Sequence, residues 1–386
     1  MEAVILAGGL GTRLRSVLGE VPKCLAPVAG RPFLEYLLEG LSRAGITRIV
    51  LSVGHLREQV FSFMESRPWP FQVDYAVETT PLGTGGGIRL ALSRCTEDNV
   101  LIVNGDTLFD VDIAALPFDA PVTLALKPMR DFSRYGTVDL GDDGLVKAFQ
   151  EKRPCPEGLI NGGVYAVRRS LLPLSGFPEK FSFETDVLQH LALEDKVAGV
   201  VDDGYFIDIG VPEDYARAQR ELPEWQALAK ASDQVLASGA RFLFLDRDGV
   251  INRMRPNDYV KTWEEFVFLP GALTALRKWA PAFERIILVT NQRGVGRGVM
   301  TEADLEGIHR RMAAEIFRAG GRLDAIYVCT AVDENDPRRK PNPGLFADAC
   351  ADFPEITPSE SVMLGDSPSD LAFAAACGMR GIRVGS

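Results

Sequence analysis

Two short apolar runs, each ending abruptly in a turn of glycines or aspartates, most constrain what this chain can fold into. Residues 3–7 (Ala-Val-Ile-Leu-Ala) run into Gly8-Gly9-Leu10-Gly11-Thr12-Arg13, and residues 241–245 (Arg-Phe-Leu-Phe-Leu) run into Asp246-Arg247-Asp248-Gly249. Unbroken apolar runs of this length, closed by turn formers, read as strands buried on both faces, as in parallel sheets covered by helices. After the first run, helix-like segments at 32–44 and 57–66 alternate with strand-like segments at 48–53 and 100–104. After the second, strand-like segments at 285–290, 325–329 and 361–364 are separated by helical stretches. This βαβ rhythm, met twice, predicts an α/β chain of two tandem domains with ligand sites at the carboxyl edges of their sheets. Residues 222–240 carry Pro223, several alanines and a closing Ser238-Gly239, and predict a helical linker between domains at 1–221 and 241–386.

Composition narrows the partners. Lys and Arg number 42 against 53 Asp and Glu, a net charge of −11, and the acidic excess lies almost entirely before position 241. An acidic surface repels a polyphosphate backbone, so nucleic acid is not an expected partner, while small anionic substrates need local basic groups or a divalent metal. The six cysteines include no Cys-x-x-Cys pair, which predicts buried thiols in a reducing compartment. No apolar run approaches the roughly 18 to 20 residues of a membrane span, and residues 1–6 lack the features of an export signal. A cytoplasmic protein with no membrane partner is expected; the sequence sets no oligomeric state.

The glycine-rich turn lets backbone N–H groups approach phosphate oxygens, with Arg13 and Lys23 adding charge. Taken alone it could equally reverse the chain. It is not a dinucleotide fingerprint, because Leu14 stands where the third glycine belongs, and no Gly-Lys-Ser/Thr follows to make a P-loop. The neighbours decide between these readings. Leu6-Ala7-Gly8-Gly9-Leu10-Gly11-Thr12-Arg13-Leu14 with Pro22-Lys23 resembles the signature of the sugar-phosphate nucleotidyltransferases, and further blocks follow in that family's order. They are Pro81-Leu82-Gly83-Thr84-Gly85-Gly86, Asn104-Gly105-Asp106, Phe149-Gln150-Glu151-Lys152, Asn161-Gly162-Gly163, Phe183-Glu184 and Phe206-Ile207-Asp208.

The resemblance covers residues 1–221 and implies a Rossmann-like nucleotidyltransferase sheet. It implies nucleotide contacts from Leu6, Ala7, Gly8, Gly9, Gly11, Thr12, Arg13 and Lys23 in the opening, and from Glu78, Gly83, Thr84, Asn104 and Gly105 beyond it. Arg13 and Lys23 would also act catalytically, neutralising the pyrophosphate that leaves. Asp106 and Asp208 would hold Mg²⁺ between the phosphates, while Glu151, Lys152, Asn161, Gly162 and Glu184 would hold the sugar phosphate. In-line attack on an α-phosphorus gathers several negative charges, so such a site works by positioning and electrostatics.

Asp246 and Asp248 follow the second strand directly, and two acids so close invite a metal. As part of an EF-hand the pattern fails, since the closing acidic residue is missing. Leu245-Asp246-Arg247-Asp248-Gly249-Val250 resembles the first motif of the haloacid dehalogenase phosphatases. Val289-Thr290-Asn291-Gln292, Arg339-Lys340-Pro341 and Gly365-Asp366-Ser367-Pro368-Ser369-Asp370 supply the rest of the set over residues 241–386. The resemblance implies a Rossmannoid sheet with a minimal cap. It makes Asp246 the nucleophile and Asp248 the acid and base, with Thr290 and Lys340 on the phosphoryl oxygens. Asp246, Asp248 through its carbonyl, and Asp366 would hold a second Mg²⁺, with Asn291, Arg297 and Arg339 at the sugar phosphate. Asp370 would orient Lys340 or the metal waters, or open its helix.

Asp-Arg-Asp-Gly-Val-Ile-Asn, Asp258-Tyr259-Val260 and Thr-Asn-Gln-Arg-Gly-Val-Gly-Arg-Gly further resemble the heptose bisphosphate and histidinol-phosphate phosphatases. That group commonly carries a zinc loop of Cys-x-His and Cys-x-Cys. Here Cys329-Thr330-Ala331 and Asp336-Pro337-Arg338 take its place, leaving one thiol, so no structural zinc is expected.

Together the resemblances imply a bifunctional enzyme. One domain would remove the 7-phosphate of a heptose 1,7-bisphosphate, and the other would transfer GMP from GTP to the heptose 1-phosphate. A uridylyltransferase for another sugar, paired with a histidinol-phosphate-like phosphatase, is the enzymatic alternative, because the residues alone do not read guanine. A nucleotide-sugar sensor or scaffold with one inactive domain is the alternative of another class. A sensor has no need of Asp246 with Asp248, nor of Asp106 with Asp208, yet all four are present.

Overall fold

The structure is a computed structural model that describes residues 1–9, 14 and 18–385. The chain divides into two compact units, Met1–Arg220 and Glu221–Ser386.

The first unit is built on a seven-stranded sheet in the order Val197–Val201, Val122–Phe132, Cys155–Arg168, Asn99–Asn104, Glu2–Leu6, Arg48–Val53 and Gln72–Val77. Cys155–Arg168 runs against both of its neighbours, while every other pairing is parallel. Side chains alternate across the central strands as period-two geometry requires. Val4, Val50 and Ile102 enter one core, which helix Gly83–Leu92 covers with Ile88, Ala91 and Leu92. Ala3, Ile5, Ile49, Leu51, Leu101 and Val103 enter the other, which helix Phe33–Arg43 covers with Leu34, Leu38 and Leu41. At about 1.5–3 kcal/mol for each fully buried aliphatic side chain, both faces hold the central strands rigid. Their carboxyl ends become a firm platform for the site.

Two local features shape that platform. A ribbon of Thr107–Phe109 and Phe206–Asp208 pairs antiparallel with Asp208 opposite Thr107, which sets Asp208 beside Asp106. The register of Cys155–Arg168 against Val122–Phe132 shifts between Asn161 and Tyr165, and this bulge releases Gly162 and Gly163 from the ladder. Gly163 has φ +73°, and a Cβ there would fall 2.7 Å from Nδ2 of Asn104.

The second unit carries a five-stranded, wholly parallel sheet in the order Ala325–Cys329, Arg285–Asn291, Phe242–Leu245, Ser361–Gly365 and Arg380–Arg383. Phe242, Phe244, Ile287, Val289 and Met363 pack beneath Leu345, Phe346 and Phe373 on one face. Leu243, Leu245, Ile286, Leu288, Val362 and Leu364 pack against Leu276, Trp279, Ile308, Met312 and Ile316 on the other. Asp246 and Asp366 each follow the last residue of a central strand, and Thr290 and Asn291 end a third.

One helix, Pro212–Leu236, passes through the boundary at residue 220 and begins earlier than the expected linker. Pro223 lacks the N–H of an interior helical residue but does not end the helix. Leu222, Trp225 and Leu228 around it are fully or almost fully buried. Among the described residues no helix is long and apolar enough to cross a membrane.

Candidate active sites

In the first unit, Asp106 follows Asn104-Gly105 at the end of its strand. Gly105 N–H donates to the Leu6 carbonyl at 3.0 Å and Ile209 N–H donates to the Asp106 carbonyl at 3.0 Å, tying three segments together beneath the carboxylates. The Lys23 ammonium pairs with the Asp106 carboxylate and lies 3.7 Å from Oδ1 of Asp208. Asp208 also accepts from Gly210 N–H at 2.7 Å and from the Tyr135 hydroxyl at 3.3 Å. Burial and the neighbouring Asp106 charge nevertheless raise its carboxyl above the usual range, with Lys23 opposing them. Two carboxylates facing one ammonium leave a surplus of negative charge, and hard oxygen donors of this kind suit Mg²⁺. Asp106 and Asp208 are the residues that would hold it.

These carboxylates open onto a cleft of about 630 Å³. Asn104, Glu151, Lys152, Asn161, Gly162 and Glu184, all singled out from sequence, line it with Asp106 and Asp208. Arg134, Tyr135 and Gln189 line it too and were not foreseen. Arg134 pairs with the Asp214 carboxylate, and the Tyr135 ring stands edge-on to Phe206 at 6.0 Å. An isolated Arg-Tyr has neither periodicity nor spacing to mark it.

The expected nucleotide contacts fall differently. Leu6 and Ala7 are held in backbone hydrogen bonds, with Ala7 N–H donating to the Ser52 carbonyl at 2.8 Å. Gly8 and Gly9 follow them, whereas Gly11, Thr12 and Arg13 lie outside the described residues. Glu78 accepts from the Ser52 hydroxyl at 3.2 Å and from Leu82 N–H at 3.1 Å, so its carboxylate closes the turn after its strand. Gly83 and Thr84 open the helix Gly83–Leu92. The Thr84 hydroxyl donates to Oε2 of Glu184 at 2.6 Å and accepts from Phe183 N–H at 2.9 Å. It thereby locks the helix start to the π-helix Phe183–Leu188.

In the second unit, Lys340 is almost fully buried and places its ammonium 2.8 Å from Oδ1 of Asp246 and 2.6 Å from Oδ1 of Asp370. Its peptide is clasped by Asn291, whose Nδ2 donates to the Lys340 carbonyl and whose Oδ1 accepts from Lys340 N–H, each at 3.0 Å. Asp370 meets Lys340 and also opens its helix, because its other oxygen caps Pro368–Cys377 by accepting from Ser367. Asp246, Asp366 and Asp370 offer carboxylate oxygens within 4.8 Å of one another. Burial first, then the neighbouring carboxylates, push Asp246 up to about 7 and Asp366 up to about 6, although Lys340 pulls against both. Such a charge imbalance fits a divalent cation on Asp246 and Asp366, since Asp370 is already committed to Lys340 and Ser367.

The Asp248 side chain is engaged elsewhere. Its Oδ1 accepts from Asn252 and its Oδ2 from Gln292, each at 2.8 Å, and Arg247 Nη2 lies 3.0 Å from both oxygens. Burial would raise this carboxyl, but Arg247 and these hydrogen bonds outweigh it and hold Asp248 below the usual range. The Thr290 hydroxyl accepts from Gln292 at 3.0 Å. Arg297 is exposed, with its guanidinium 6.0 Å from the Tyr259 ring. Arg339, expected at the sugar phosphate, is buried and donates to the Ala331 and Val332 carbonyls, so it fastens the loop that replaces the zinc segment. In the same loop the Cys329 thiol faces Oδ1 of Asp336 at 3.8 Å.

The nucleotidyl transferase family model matches residues 2–224, and a HAD-hydrolase-like model matches residues 337–386. D-glycero-alpha-D-manno-heptose 1-phosphate guanylyltransferase of Aneurinibacillus thermoaerophilus is 47% identical over 230 residues, which are 58% of this chain and all of that protein. D-glycero-alpha-D-manno-heptose-1,7-bisphosphate 7-phosphatase of Mycobacterium tuberculosis is 45% identical over 136 residues, 34% of this chain and 70% of that protein. Among solved structures, HddC from Yersinia pseudotuberculosis is 36% identical and covers 56% of this chain and 97% of its own, with a TM-score of 0.52, or 0.50 in its complex with GMP-PN. With the Lys23, Asp106 and Asp208 cluster in one unit and the Asp246 and Lys340 cluster in the other, the chain belongs to the nucleotidyl transferase family and joins to it a phosphatase unit of the HAD-hydrolase-like kind.

Proposed function

We propose that this chain is a bifunctional enzyme that makes a GDP-activated heptose. The second unit removes the 7-phosphate of D-glycero-α-D-manno-heptose 1,7-bisphosphate, and the first transfers GMP from GTP to the heptose 1-phosphate that results. One observation carries the reading: the two units resemble enzymes whose substrates are consecutive, since losing the 7-phosphate from the bisphosphate yields the 1-phosphate. GTP as donor rests on the same relatives and on the GMP-PN complex of HddC.

In the second unit, an Asp246 oxygen attacks the 7-phosphorus while the bond from phosphorus to O7 breaks. Asp248, charged in the free site, takes up a proton from solvent as the anionic substrate binds and gives it to the departing oxygen. Water then attacks the aspartyl-phosphate, passes a proton to Asp248, and phosphate leaves with Asp246 restored. Lys340 holds the phosphoryl oxygens and keeps Asp246 aimed. In the first unit, an oxygen of the heptose 1-phosphate attacks the α-phosphorus of GTP and pyrophosphate departs. Lys152 holds the sugar phosphate, Glu151, Glu184 and Asn161 meet the hydroxyls, and Lys23 offsets the charge that develops. Mg²⁺, bound on Asp106 and Asp208 and on Asp246 and Asp366, would neutralise phosphate oxygens in each unit.

The test is to incubate the protein and Mg²⁺ with heptose 1,7-bisphosphate and each nucleoside triphosphate, reading phosphate and pyrophosphate separately. Phosphate release followed by GTP-selective pyrophosphate release is expected. No phosphate from the bisphosphate, or preference for UTP, overturns the reading.

A further inference from the structure

The arginine that holds Asp248 is itself held. Arg247 is wholly buried, and its Nη2 alone meets both oxygens of Asp248, each at 3.0 Å. A guanidinium normally fixes a carboxylate with two nitrogens in a planar fork, and one nitrogen on two oxygens leaves that plane free to swing. The second anchor is His309, whose Nε2 lies 3.1 Å from Arg247 Nη1, while Arg247 Nε meets no partner. Because a guanidinium nitrogen can only donate, Nε2 is the acceptor and the ring proton belongs on Nδ1.

His309 is suited to that role. It sits on helix Glu302–Arg318, whose start is fixed by the capping box of Thr301 and Asp304. Ile308 and Met312 beside it are buried in the core. Burial first, and then the charge of Arg247, push the imidazole down to about 3, so it stays neutral and able to accept.

We propose that His309 is a positioning residue of the phosphatase reaction, setting through Arg247 the orientation in which Asp248 delivers its proton to the leaving sugar oxygen. The proposal rests on the phosphatase reading of the second unit. The step concerned is the first one: the Asp246 oxygen bonds to phosphorus, the ester bond breaks, and the alkoxide takes the Asp248 proton. A sugar alkoxide needs that proton, whereas p-nitrophenolate leaves without it.

Leaving-group dependence therefore separates positioning from mere structure. The ratio kcat/KM reports only the steps through phosphoryl transfer, so hydrolysis of the aspartyl-phosphate does not enter it. For His309→Leu, kcat/KM on heptose 1,7-bisphosphate should fall about tenfold or more, a fraction of what general acid catalysis contributes, with p-nitrophenyl phosphate changed by no more than about twofold. His309→Gln, which keeps an acceptor at the side-chain tip, should restore the sugar rate to within about threefold of the parent. An equal loss on both substrates, or an unchanged sugar rate, overturns the proposal and leaves the phosphatase reading standing. If the leucine variant does not fold, Arg247→Lys replaces it, because the lysine cannot reach Asp248 and His309 together. The same selective loss is expected there, and an equal loss overturns the proposal. Parent protein that releases no phosphate from the bisphosphate overturns the phosphatase reading itself.

Discussion

Nζ of Lys340 stands 2.8 Å from Oδ1 of Asp246, and both side chains are nearly sealed from water. Burial disfavours a charged ammonium, yet Asp246 and Asp370 outweigh it and raise the lysine above its usual range. The same contact works against burial and the other carboxylates, which on balance still raise Asp246, so Lys340 favours its charged form as well as fixing its direction. Replacing Lys340 by Met fills most of its volume and removes the charge. Phosphate release should fall by about 10²–10³-fold, in the range of losing one electrostatic donor. The melting temperature should drop too, because breaking a buried ion pair costs roughly 3–5 kcal/mol. Steady-state phosphate release and a thermal melt check both, and a variant within about tenfold of the parent would remove Lys340 from the reaction.

The same cluster fixes a pH dependence. Asp246, at about 7, and Asp366, at about 6, both lie above the ordinary value of 3.8. Between those limits the folded protein keeps protons that the unfolded chain has lost, so these two groups make stability fall as pH rises through the window. Magnesium requires both carboxylates charged, and its stabilising effect should therefore grow over the same window. We expect a small Mg²⁺-induced rise in melting temperature at pH 5 and a larger one at pH 7.5. Asp366→Asn serves as the reference that removes any contribution from the first unit. A rise of the same size at both pH values, after subtracting that reference, would contradict the assignment.

Where the sequence was readable, it was so because chemistry sat at strand ends. Asp246 follows an apolar run directly, Asp366 one glycine later and Asp106 after Asn104-Gly105, and a strand's end fixes where the next residues point. Strands Val122–Phe132 and Cys155–Arg168 were not legible. The first carries Lys127, Pro128 and Arg130, and the second carries Pro156 and three glycines, which break the alternation that marks a strand. Arg134, Tyr135 and His309 were invisible for another reason. Each meets its partner across a long sequence separation, Tyr135 on Asp208 and His309 on Arg247, and no local pattern encodes such a meeting. Arg247 stood inside a recognised motif, yet only the fold reveals what its guanidinium touches.

Thr84 and Glu184 supply a test in the first unit. The 2.6 Å hydrogen bond between them sets the Glu184 carboxylate against the cleft. Thr84→Val keeps the shape and removes the donor. A hydrogen bond to a charged group contributes about 1.5–3 kcal/mol, so KM for heptose 1-phosphate should rise by roughly tenfold or more. Pyrophosphate release at saturating sugar phosphate should change far less, because the hydroxyl is engaged by Glu184 and the Phe183 N–H. An unchanged KM would mean that Glu184 does not bind the sugar.

Gly249 carries the sharpest steric prediction. Its φ is +81°, and a Cβ there would fall 2.1 Å from Oδ2 of Asp366, well inside contact distance. Gly249→Ala must therefore move the Asp366 carboxylate or the turn that follows Asp248, and either shift would misplace a residue proposed to hold the metal. Positive φ alone costs a non-glycine residue only about 1–2 kcal/mol, so the test has to separate backbone strain from displacement of the carboxylate. Gly239→Ala provides the comparison: its φ is +69°, and nothing lies within 4 Å of the position a Cβ would take there. Both variants should melt somewhat lower than the parent. Only Gly249→Ala should lose phosphate release by about 10²-fold or more, together with the Mg²⁺-induced rise in melting temperature at pH 7.5. Equal losses in the two variants would assign the effect to strain, and full activity in Gly249→Ala would mean that Asp366 need not stay where it is for the reaction to proceed.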